Sequence, residues 1–149
     1  MNKQSLLMID FVSVLKKHYS IDTPVDVKAF VKHLGGTIEE TGKLPYGVSG
    51  RVIKTGADSF KIQVRSGESS LRQNFTIAHE IGHLFFDMHY IVNPDKWNDI
   101  CDGSQFNRTG DLDNSESLAN SFAAELLMPQ NEFVRSVYNN LKNGFVDVD

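Results

Sequence analysis

Apolar positions along this chain repeat with two different periods. In SLLMIDFVSVLKK, close to the amino terminus, they recur every three or four residues, as on an amphipathic helix. The same period returns in VDVKAFVKHL (25–34), from Ser69 or Ser70 to about Met88, in SESLANSFAAELLMP (115–129) and in NEFVRSVYNNLK (131–142). Asp22-Thr23-Pro24 reads as the start of the second helix, a capping residue followed by proline in the first turn, and Gly35-Gly36 as its stop. Between the second and third helices the period falls to two. Phe60, Ile62 and Val64 alternate with Lys61, Gln63 and Arg65, as in a strand with one buried face. TIEE (37–40) and VSGRVIK (48–54) complete a set of three strands, separated by LPYG and TGAD turn signals. Residues 90–114 are polar and carry Asn93-Pro94, Asp102-Gly103 and Gly110, which predicts a long loop with at most one short turn. The expected fold is α+β, a small three-stranded, mostly antiparallel sheet packed with helices.

Length and charge narrow the picture. The 149 residues fit one domain, 1–149, with an N-terminal helix over 1–20. A chain of this size buries roughly two-thirds of its unfolded surface, so no metal or disulfide is required merely to hold a core. The net charge is −4 and no Lys/Arg stripe appears, which argues against direct nucleic-acid binding. Cys101 is the only cysteine, which excludes an intrachain disulfide and favours a reducing compartment. Asp10 interrupts the first apolar stretch, and no run has the length of a membrane span. The expectation is a cytoplasmic protein.

The candidate chemistry lies in FTIAHEIGH (75–83), which contains His-Glu-x-x-His. Four residues on a helix turn through a net angle of about 40°, so His79 and His83 point the same way and can share one zinc ion. Glu80 stands about 100° from His79, beside such an ion, where a general base for an attacking water belongs. Ile77, Ile81, Leu84, Phe85 and Met88 fall on the opposite side and face the core. The competing reading is a pair of buried structural histidines. An open zinc site needs a third protein ligand. His89 has the six-residue spacing of the long signature in which a glycine turn swings a third His back. Here Phe86 holds that turn position, and on a continuing helix His89 faces about 240° away from His83. Glu116 is the better candidate. It shares a helix face with Asn120, and Ala119, Ala123 and Leu127 complete the stripe. Small residues there, with Gly82 opposite, let two helices approach closely. Asn120 is then placed to hydrogen-bond the far nitrogen of a ligating His or to orient Glu116. Against this, Asp113 and Glu116 also have the spacing of a capping box.

FTIAHEIGHLFF followed by ExxANSFAAELLMP resembles the ImmA/IrrE family of zinc metallopeptidases of bacteria, their phages and integrative elements. The similarity extends upstream to PVDVKAFVKHLG, Val48-Ser49-Gly50 and SLRQNFT, and covers residues 22–134, leaving 135–149 as a tail. It implies a zincin-like active-site helix, one zinc ion held by His79, His83 and Glu116, and Glu80 as catalytic base. It also implies a protein substrate, a helix-turn-helix DNA-binding repressor, cut at a specific site. The alternative is a metal-bound module that disables the repressor by binding without proteolysis. His89, Tyr90 and Arg108 are candidates to hold the developing oxyanion, and each is equally readable as a solvated loop residue. Arg72 lies near the face of His79, as a substrate contact or as the partner of an acidic neighbour. SFKIQVR, if it forms the sheet edge nearest the metal, could pair with an extended substrate.

Overall fold

The computed structural model describes residues 3–105 and 112–128. Among them, helices α1 (Lys3–His18) and α2 (Val27–Leu34) precede strands β1 (Gly36–Thr41), β2 (Gly50–Gly56) and β3 (Ser59–Arg65). Helices α3 (Ser70–Phe86), α4 (Pro94–Asp99) and α5 (Leu112–Leu127) follow. The architecture is α+β. No helix among the described residues is long and apolar enough to cross a membrane.

Each element follows from its pattern of side chains. On α1, Met8, Val12 and Leu15 are buried at helical spacing, while Leu6, Leu7 and Val14 stay exposed. On α2, the Asp26 carboxylate accepts from the Ala29 N–H at 3.1 Å, and Gly35, at φ 98°, closes the helix in the left-handed region. The cap is therefore Asp26 and not Asp22. Pro24 precedes the helix instead of entering its first turn, because the segment 22–25 is used to reach it.

β3 is the centre of the sheet, in the order β1-β3-β2. It runs antiparallel to β2, with Val52 opposite Ile62, and parallel to β1, with Ile38 opposite Ile62. Phe60, Ile62, Val64 and Val52 turn to one face and are buried there with Ile77, Ile81, Leu84 and Phe85 of α3. Placing β3 in the middle removes it as a substrate-pairing edge, since both of its edges already carry ladders. The segment after α3 carries one short helical turn, α4, and is fastened to the sheet. Asn93 caps α4 by accepting from Lys96 N–H. Trp97 is buried, donates Nε1–H to Ala57 O at 2.7 Å, and has the Lys54 ammonium 4.7 Å over its ring. Lys54 Nζ, itself buried, donates to Trp97 O at 2.9 Å and Ile100 O at 2.7 Å. One tryptophan and one lysine thus fasten a polar segment to the β2–β3 hairpin. The helical stretch read at 131–142 lies outside the described residues.

Candidate metal centre

Ser69 starts α3 by accepting from Arg72 N–H at 3.2 Å. Two turns later the helix presents His79 and His83 side by side, with ring centroids 4.7 Å apart and ring planes at 80°. Their Nε2 atoms are 3.0 Å apart. Glu116 reaches them from α5, with Oε2 2.9 Å from His79 Nε2 and Oε1 3.3 Å from His83 Nε2. α5 approaches this closely because of what it carries there. A Cβ built on Gly82 would lie 3.0 Å from Ala119 Cα, so the two helices meet backbone to backbone.

The outer nitrogens face acceptors, which selects the tautomer of each neutral ring. His79 Nδ1 is 2.8 Å from Asn120 Oδ1, and His83 Nδ1 is 2.7 Å from Asp87 Oδ2. Both partners are acceptors, so in each neutral ring the proton sits on Nδ1 and the Nε2 lone pair points inward. The inner atoms are then two lone pairs and a carboxylate, three electron-pair donors within 3.3 Å of one another. A positive charge at their centre turns that mutual repulsion into attraction. Zinc bonds of about 2.0–2.1 Å at tetrahedral angles would separate such donors by about 3.3 Å, and the observed triangle is close to that size. The donor set therefore fits a zinc ion. Burial and the neighbouring His83 hold His79 below the ordinary imidazole range, against the opposing pull of Glu116 and Asn120. That favours the neutral, metal-binding form.

Glu80 belongs to the same cluster, with a carboxylate oxygen within 4.8 Å of an imidazole nitrogen of each histidine. It is only 5 % exposed. Gly50, at the start of β2, leaves room for it. A Cβ there would meet Thr76 Cγ2 at 2.5 Å and Glu80 Cγ at 3.4 Å. In front of these residues lies a cavity of about 360 Å³, lined by Gly47, Ser49 and Gly50 on one side and by Arg72, Phe75, Thr76, His79 and Glu80 on the other.

Asp87 escaped the reading of the sequence. One carboxylate oxygen holds His83, and the other accepts from Ser115 Oγ at 2.8 Å, next to Glu116. Its signal was present, since it sits four residues beyond His83 on the same helix face.

His89 follows the end of α3 at φ 63° and is not part of the cluster formed by His79, Glu80 and His83. Tyr90 is buried among Phe60 and Trp97, and its hydroxyl donates to Leu34 O and, at 3.3 Å, to Asp58 O. Burial raises its pKa. It braces the core, and its hydroxyl is not available as a donor in the cleft. Arg72 lines the cleft and pairs with Glu68 at 3.1 Å. Arg108 lies outside the described residues, as does the side chain of Asp113.

A family model, that of the IrrE N-terminal-like domain (Peptidase_M78), matches residues 58–142. A search of curated proteins returned no match.

Proposed function

Because the chain belongs to the M78 peptidase family through its IrrE N-terminal-like domain, we propose that it is a zinc-dependent, site-specific endopeptidase. Its substrate on this reading is a helix-turn-helix repressor of a phage or mobile element, cut in the cytoplasm. The observation that supports it best is the convergence of His79 Nε2, His83 Nε2 and the Glu116 carboxylate, with both outer imidazole nitrogens already committed. Three protein donors describe an open site, and a structural zinc is closed by four.

When bound, the ion supplies Lewis-acid polarisation of the scissile carbonyl and acidification of a water. The residues do the rest. Asn120 and Asp87 fix the tautomer and plane of the two imidazoles. Glu80, inside the cleft wall and shielded by Gly50, takes the proton of the attacking water and passes it to the leaving amine. Gly47, Ser49 and Gly50 hold the chain of the substrate opposite α3.

The test is incubation of the zinc-loaded protein with the helix-turn-helix regulator encoded beside its gene, with fragments read by mass. Two fragments are expected, and none after chelation. Glu80→Gln should retain zinc and slow cleavage by about 10²–10⁴-fold, the usual contribution of a general base. Cleavage by that variant at the wild-type rate refutes the role of Glu80. A tight complex with no fragments refutes the peptidase reading in favour of inactivation by binding.

A further inference from the structure

Tyr46 is fully exposed at the tip of the 44–49 loop, between β1 and β2. Gly47 and Ser49, beside it, line the cleft that holds His79 and Glu80. An exposed aromatic on a slack loop means little, but this loop is braced. Leu44 is buried, and Val48 N–H closes a turn on Pro45 O at 3.0 Å. The Arg65 guanidinium lies underneath. Its Nη2 donates to Leu44 O at 3.2 Å, Pro45 O at 2.7 Å and Val48 O at 2.7 Å, and its Nε donates to Val48 O at 3.0 Å. Arg65 N–H also donates to Ser49 O at 2.9 Å. The brace is tied to the active helix, because Gln73 Nε2 of α3 donates to Arg65 O at 3.0 Å. One planar cation satisfying three loop carbonyls is a costly way to hold a tyrosine that buries nothing.

We propose that the 44–49 loop is a recognition lip for the polypeptide that enters the cleft, with Arg65 as its positioning residue and Tyr46 as the contact. The lip takes a bulky apolar side chain near the bond to be cut. Its chemistry follows from the walls. Apart from His79 and Glu80, which belong to the reacting end of the cleft, Phe75 is exposed, Gly47, Ser49, Gly50 and Thr76 carry no charge, and the Arg72 cation is paired with Glu68. An exposed aromatic on a braced backbone, next in sequence to the Gly47 end of that wall, suits an aliphatic or aromatic partner. The inference rests on the peptidase reading of the cleft, yet it is a statement about binding and is read by binding.

The probe is a randomised nonapeptide mixture passed over zinc-loaded protein carrying Glu80→Gln, with retained peptides sequenced. Retained peptides should be enriched in Leu, Ile, Met and Phe. Adding Tyr46→Ala should weaken the best peptide by about tenfold, the scale of an aromatic contact residue, while Tyr46→Phe stays within about twofold. Arg65→Met should speed amide exchange across 44–49 and weaken the same peptide without changing zinc affinity. Retention that ignores Tyr46, or no retention of apolar peptides, overturns the lip. Regulator cleavage without dependence on Tyr46 removes the lip and leaves the peptidase standing. Tyr46-dependent binding by a wild-type protein that cuts nothing does the reverse.

Discussion

Gly82→Ala sets two known effects against each other, and the structure decides between them. In the middle of an exposed helix the change gains about 1 kcal/mol, because alanine loses less backbone freedom than glycine. Here the new methyl carbon would meet Ala119 Cα at 3.0 Å, and Ala119 Cβ and O at 3.3 Å. Carbon pairs are comfortable at about 3.5–4.0 Å, and a backbone atom cannot rotate away. α5 must therefore retreat by about 0.5–1 Å. Overpacking of this kind costs about 1–3 kcal/mol, so a net loss of about 1 kcal/mol is expected, seen as a fall of about 3 °C in Tm of the metal-free protein. The larger effect is on the metal. Glu116 stands one helical turn from Ala119, and its carboxylate must stay within 2.9 and 3.3 Å of the two Nε2 atoms. A shift of that size should lower zinc affinity by about 10–100-fold, the scale seen when an orienting partner is lost. Competition against a chromophoric chelator measures it, with melting of the metal-free protein alongside. A variant that melts higher and binds zinc as tightly as wild type would falsify the claim that Gly82 sets the distance between the helices.

Asp87→Ala removes the acceptor for His83 Nδ1 and for Ser115 Oγ at once, and should weaken zinc by about 10–100-fold in the same competition assay, with Ser115→Ala losing much less. In the metal-free protein the folded His79 has a lowered pKa, so the unfolded chain binds the proton first as pH falls below about 6.5. Stability should be full above that pH and fall below it down to the folded pKa, with a flatter profile for His79→Gln in chemical denaturation at several pH values. Trp97→Ala empties a buried site and strands Ala57 O, and should cost about 3–5 kcal/mol in urea unfolding, whereas an open-loop tryptophan would cost almost nothing.

What the sequence made readable was whatever depends on local period. The His pair, the apolar residues on the other side of α3 and the small residues of α5 all follow from turning about 100° per residue. Those features position Glu116, since Gly82 and Ala119 let the helices touch. Features set by distant partners were not readable. α4 has one large apolar residue in a polar segment, and its place depends on Lys54 and Ala57, some forty residues earlier. The strand pattern marks buried faces but names no neighbours, so the parallel pairing of β1 with β3 carries no local signal. Asp22 and Asp26 both precede apolar residues at helical spacing, and only the use of 22–25 as a connection selects Asp26.

The metal triangle is assembled by packing that lies outside it. On α5, Ala119, Phe122, Ala123 and Leu126 are buried, and this stripe fixes the rotation of the helix and with it the direction of Glu116. Phe122 is gripped by Phe85 at 5.7 Å and Phe86 at 5.8 Å from α3, and by Phe11 at 6.1 Å from α1. These contacts hold α5 against α3, and with it the Glu116 carboxylate beside the two imidazoles. Asp87 then couples the two helices a second time, through His83 and Ser115. Apolar residues outside the cluster thus set its geometry. For the same reason Glu116, a residue with an ordinary capping reading in the sequence, meets the two histidines only where α3 and α5 are in contact.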